Sequence, residues 1–141
     1  MKQRILILAV LILAISACKD DGLSAVEQTK QQLMVAPWGN PTVTVDGVDE
    51  SDLYKDFSIT FGDGTYTSIN GDPVWPGSGT WQFKDDAGKI MLLDGSLEVV
   101  INSIDDENLE LELNWDETTY ALGGRVSSIF GKNYFFLKRS R

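Results

Sequence analysis

At 141 residues, 43% of them hydrophobic and 23% charged, the chain is long enough for one domain with its own core and too short for several. Twelve Lys and Arg against 21 Asp and Glu give a net charge of −9, which excludes the cationic grip that nucleic acid or anionic lipid demands. Histidine is absent and cysteine occurs once, so the commonest general base, the commonest metal ligand and any intrachain disulfide are excluded as well.

The chain opens on Lys2 and Arg4, followed by an apolar run from Ile5 to Ile15, the small residues Ser16 and Ala17, and then the lone Cys18. This is the order of a secretory signal. A membrane-spanning helix needs about 20 apolar residues, and Lys19-Asp20-Asp21 stops the run short of that. Ile15-Ser16-Ala17-Cys18 resembles a bacterial lipobox. The resemblance implies cleavage after Ala17, a diacylglyceryl group on the Cys18 thiol, and a membrane partner held through that N-terminal lipid anchor. Residues 1–17 are then the signal peptide and residues 18–23 a lipidated tether. Cys18-Lys19-Asp20-Asp21 is similar to the export signal of surface-displayed lipoproteins of Gram-negative bacteria, which implies the outer membrane and its outward face; a solvated charged spacer is the alternative. Removing residues 1–17 takes away two cations and no anion, which moves the charge from −9 to −11 and leaves 124 residues.

Ser24 and Glu27 have the spacing of a capping box, in which the hydroxyl bonds the backbone N–H three residues on. A short helix over residues 24–34 is expected. Its apolar positions Leu23, Val26, Leu33 and Met34 make a thin stripe, suited to lying against one end of a domain. Pro37 and Pro41 argue against further helix.

From residue 42 the hydrophobic period changes to two. Phe57, Ile59 and Phe61 alternate with Ser58, Thr60 and Gly62; Leu109, Leu111, Leu113 and Trp115 alternate with Glu110, Glu112 and Asn114. Weaker runs of the same kind cover 42–45, 65–69, 80–83, 89–93, 97–102 and 133–138. Asp46-Gly47, Asp63-Gly64 and Asp94-Gly95 punctuate them, and these dipeptides readily adopt the positive φ of tight hairpins. The pattern predicts an all-β, antiparallel up-and-down meander of about eight strands with one short N-terminal helix, as a single domain over residues 24–141.

Val45-Asp46-Gly47-Val48, Phe57 to Thr67 with its Asp63-Gly64-Thr65-Tyr66 turn, and Gly79-Thr80-Trp81-Gln82-Phe83 together resemble the lipocalin-like lipoprotein domains of bacteria. The similarity runs on through Leu97-Glu98-Val99 and Leu109-Glu110-Leu111 to Tyr134-Phe135-Phe136-Leu137. It implies a small up-and-down barrel, in some cases one that holds an apolar ligand. The first strand departs from the lipocalin Gly-x-Trp order, reading Pro37-Trp38-Gly39.

The carboxylates cluster at Asp49-Glu50-Asp52, Asp85-Asp86 and Asp105-Asp106-Glu107, in expected turns where solvated loop charge explains them. The EF-hand spacing fails from Asp46, with Val48 and Ser51 at its third and sixth positions. No catalytic residue, metal site or cofactor is assigned, and the expectation is a non-enzyme. Trp75 stands out because Asn70 to Gly79 is too rich in Pro and Gly for a central strand, which puts the indole on a loop. There it could stack a small apolar or glycan ligand at a barrel mouth with Tyr66 and Tyr120 as neighbours, or fold back to plug the open end. Trp81, Phe83 and Trp115 read as core, and the terminal Lys138-Arg139-Ser140-Arg141 as a basic tail for the acidic body. The sequence therefore leaves two functions: a monomeric, lipid-anchored binding module of the cell envelope, or a structural or protein-interaction lipoprotein whose barrel is filled by its own side chains.

Overall fold

The protein's structure, a computed structural model, describes residues 22–116 and 129–141. Among them, antiparallel strands form one sheet: β1 (Trp38–Val45), β2 (Val48–Asp49), β3 (Ser58–Phe61), β4 (Thr65–Ile69), β5 (Ser78–Phe83), β6 (Ile90–Leu93), β7 (Leu97–Ile104), β8 (Asn108–Trp115) and β9 (Gly131–Arg139). Each strand from β3 to β9 pairs with the next, and β1 pairs with both β3 and β9. Eight strands thus close into an up-and-down barrel through the β1–β9 pairing; β2 is a two-residue return on the end of β1.

The seam is tightest between β8 and β9, paired without interruption from Asn108↔Lys138 to Trp115↔Gly131. Strict alternation fixes that register: Leu109, Leu111, Leu113 and Trp115 point inward and are at most 5% exposed. A slip of one residue would turn them out to water. On the outer face Lys132 pairs with Glu112 at 2.9 Å, across neighbouring strands.

Turn chemistry follows the sequence. Asp46 and Gly47 have φ of 47° and 81°, and Asp94 and Gly95 have 49° and 74°, positive at both central positions as a type I′ hairpin requires. The Asp63-Gly64 link is different: only Gly64 has positive φ, and Gly62 N–H closes the turn on the Thr65 carbonyl at 2.7 Å. In β1, Asn40 sits at φ 47° before Pro41, and the β1–β9 register shifts between Gly39 and Thr42. A proline has no N–H for the ladder, so the strand bulges at this point.

Helix α1 (Ala25–Met34) covers the end of the barrel from which β1 starts, termed here the lower pole. Ser24 caps it by accepting from the Glu27 N–H at 3.2 Å. Leu33 is fully buried beneath it, and the Trp38 indole N–H donates to the Leu33 carbonyl at 3.0 Å, satisfying one of the carbonyls that a helix end leaves open. Lys30 bridges to Asp63 in the β3–β4 turn at 2.6 Å. Gly88, in the β5–β6 turn, has φ +67°, and a Cβ there would meet Thr29 Oγ1 at 2.9 Å and Val26 Cα at 3.1 Å. Only glycine allows the helix to lie that close.

Candidate functional site

The opposite end, the upper pole, gathers the end of β1, the segment between β2 and β3, the loop between β4 and β5, the β6–β7 turn and the start of β9. The β4–β5 loop carries Trp75. Its path is set by backbone bonds: Trp75 N–H to the Gly71 carbonyl at 2.9 Å and Ser68 N–H to the Gly77 carbonyl at 3.0 Å. The Ser68 hydroxyl lies 2.8 Å from both the Trp75 and Pro76 carbonyls, so its single proton is shared between them. Gly71 has to be glycine here, because a Cβ would meet Trp75 Cβ at 2.5 Å and Phe57 Cε2 at 2.7 Å. The loop is folded back over the mouth and drives the indole inward.

Trp75 is 0% exposed. Its ring meets Phe135 edge-on at 5.7 Å between centroids, Tyr66 edge-on at 6.5 Å, and Phe57 at 6.1 Å. Tyr54 completes the cluster, edge-on to Phe135 at 4.9 Å and to Phe57 at 6.0 Å. Such edge-to-face pairs each add about 0.5–1.5 kcal/mol beyond burial of area. Tyr54 arrives on a 3-10 turn, Ser51–Tyr54, which Ser51 holds to β1 by accepting from the Val43 N–H at 2.9 Å.

Tyr66 lies across Gly79 on β5 and reaches the β6–β7 turn, where its hydroxyl donates to Asp94 Oδ2 at 2.7 Å. Asp94 Oδ1 accepts from the Thr80 N–H at 2.8 Å. Gly79 leaves room for the ring, since a Cβ there would meet the Tyr66 hydroxyl at 2.6 Å. Burial first, and then the hydrogen bond to Asp94, push the Tyr66 phenol well above its ordinary value. It is a neutral donor, not a base.

The structure therefore brings Trp75 and Tyr66 together, inside the core and not on an open rim. Tyr120 and Cys18 lie outside the described residues. Tyr54 and Phe135 are members of the cluster that sequence reading did not single out. The Asp49-x-Ser51 pair was the available signal for Tyr54: the Ser51 N–H and hydroxyl both donate to Asp49 Oδ1, at 3.0 and 2.6 Å, and so start the turn. Asn133 was also missed. It is fully buried, and its amide donates to the carbonyls of Ile129 at 2.7 Å and Gly131 at 3.0 Å.

Among the described residues, Trp75 Nε1, Trp115 Nε1 and Asn133 Oδ1 of this pole are buried without a hydrogen-bond partner. Among the described residues, no group of three or more Cys, Asp or Glu is placed to hold a metal ion. Beside the pole, a surface groove of about 390 Å³ is lined by Asp52, Leu53, Lys55, Asp56, Asn70 and Asp72, and includes neither Trp75 nor Tyr66. No protein-family model matches the chain, and no curated protein matches it.

Proposed function

We propose that the chain is a lipid-anchored domain of the bacterial cell envelope that acts through its outer surface, as a structural or protein-interaction lipoprotein with a filled barrel. The observation that carries this reading is the aromatic cluster at the upper pole: Trp75, Tyr66, Tyr54, Phe57 and Phe135 are each at most 2% exposed. An eight-stranded barrel is just wide enough for its own side chains or for one small ligand. Five bulky rings at one end and Trp38, Leu33 and Phe61 towards the other favour the first. The anchor is read from the apolar run and Cys18, and the outer membrane with outward display from Lys19-Asp20-Asp21.

A second reading, a barrel that holds a small apolar or glycan ligand, draws on the unpaired indole N–H groups of Trp75 and Trp115 and the unpaired Asn133 oxygen. Buried polar groups nearly always find partners, and a ligand hydroxyl would supply one. Native mass spectrometry of the full protein released from membranes separates the two. The filled barrel gives the polypeptide plus the covalent acyl mass alone; a further mass that leaves on mild activation would establish the ligand-holding barrel. In the same preparation Cys18→Ala is expected to move the protein from the detergent phase to the soluble fraction. Continued partitioning with membranes would refute the anchor.

A further inference from the structure

Helix α1 sorts its residues by charge. Leu33 faces the barrel and is buried, and the two ionisable residues, Glu27 and Lys30, are half-buried at its flanks. Lys30 is engaged by Asp63 at 2.6 Å. The residues left outside are Ala25, Gln28, Gln31, Met34 and Val35, and none can carry a charge. Gln28, Gln31 and Val35 share one face by their spacing of three and four. Leu23, just ahead of the helix, is 46% exposed and Val35 at its end is 55% exposed, so apolar side chains stand at both ends of this uncharged strip. On a chain of net charge −9 such a strip meets an anionic surface without charge repulsion of its own; Asp106 and Arg139, of opposite sign, border it on one side, and Lys138 and Arg141 stand at the same pole.

The tether limits what can lie against it. Leu23 is five residue steps on from Cys18, and five fully extended steps reach at most about 18 Å. A lipid on Cys18 therefore keeps the start of α1 within that distance of the headgroups. The upper pole is separated from the lower one by about 20 Å, the length of eight-residue strands tilted in the barrel. That pole carries the Asp52, Asp56 and Asp72 carboxylates.

We propose that the outward face of α1, with Leu23, Gln28, Gln31, Met34 and Val35, rests on the surface of the membrane that holds the Cys18 lipid. The barrel then stands on its lower pole and presents the upper pole, with exposed Val48 and Phe130, away from the membrane. The contact orients the domain; the acyl chains hold it, since a short apolar face adds little to a covalent lipid. This inference rests on the lipid-anchored reading of Cys18.

With the Cys18 thiol acylated, a cysteine introduced elsewhere is the sole target for a thiol-reactive fluorophore. Gln31→Cys and Val48→Cys place the label at the two poles, both at exposed positions. Each labelled full-length protein is reconstituted in phosphatidylethanolamine–phosphatidylglycerol vesicles containing a headgroup-nitroxide lipid. The expected result is a severalfold greater loss of fluorescence at position 31 than at position 48. Equal loss at both, or greater loss at 48, overturns the orientation. A label at 31 that is shielded from a water-soluble quencher yet unaffected by the nitroxide lipid would put a protein, such as a second copy of this chain, on the face, and overturns it equally. The mass of the N-terminal peptide is read separately: no acyl group there refutes the anchor itself, whereas an acylated protein without the asymmetry refutes only the orientation.

Discussion

Individual side chains in this barrel are constrained in proportion to what surrounds them. Leu111 on β8 is fully buried, with Phe135 opposite it on β9, while its neighbour Glu110 lies on the outer face. Leu111→Ala is expected to cost about 2–5 kcal/mol from lost transfer energy and the cavity left behind. Glu110→Ala is expected to cost well under about 1 kcal/mol, because outer-face polar contacts are screened by water. Urea unfolding of the two variants measures both, and equal losses would contradict the register. The glycines at 71, 79 and 88 are held just as tightly, each by a neighbour that would collide with a methyl group. Sequence alone flags a glycine as permissive; it does not say which neighbour it admits.

Among the elements, α1 is attached by few contacts and so is open to a local test. Gly88→Ala introduces an L-residue at φ +67° and a methyl against Thr29 and Val26. The expected loss is about 1–2 kcal/mol, from the left-handed backbone and the displaced helix. Hydrogen exchange should show residues 25–34 losing protection while β8 and β9 keep theirs; uniform loss across the barrel would contradict separable docking of the helix. The helix itself was legible because Ser24 and Glu27 mark its start, and β8 because four apolar residues alternate without a break. Asp46-Gly47 and Asp94-Gly95 declared their turns through the ease with which Asp and Gly take positive φ. Other features were hidden. Pro41 made the first half of β1 look broken, although the strand runs from Trp38 and absorbs the proline in a bulge. The Ser51–Tyr54 turn and two-residue β2 are too short for any period, and are held by bonds to β1. For the candidate site, the loop position of Trp75 could be read from Pro73, Pro76 and the glycines. Its burial could not, because that depends on Phe57, Tyr66 and Phe135 arriving from three other strands or their flanks.

For the molecule as a whole, pH reports on how the carboxylates are held. The Asp49 carboxyl is lowered by the Ser51 hydroxyl and N–H, Asp85 by the backbone N–H groups of Ile90 and Lys89, Asp105 by those of Glu107 and Asn108, and Glu112 by Lys132. Their unfolded values are near 3.8 for Asp and 4.5 for Glu, so the stability they add is present above those values and is lost as pH falls through the lower folded ones. The net charge passes through zero near pH 4.3, which removes acidic self-repulsion as a cause of unfolding in that range. At the other end, burial raises the phenol of Tyr66 and pushes that of Tyr134 up to about 12, from an unfolded value of 10.0. Stability contributed by the neutral phenols is complete below pH 10 and is lost above it. Melting temperature measured from pH 3 to 11 should form a plateau that falls below about pH 4 and above about pH 10; a curve that still rises on acidification below pH 4 would contradict these assignments.

The central claim is that the barrel is closed and filled at its upper pole by its own aromatic side chains, with Trp75 as the plug. Equilibrium urea unfolding of the wild type and Trp75→Ala tests it most directly. The account predicts a loss of about 3–5 kcal/mol, the cost of removing a large, fully buried ring. A variant as stable as the wild type would contradict it, since an indole that can be removed without cost is not filling the barrel.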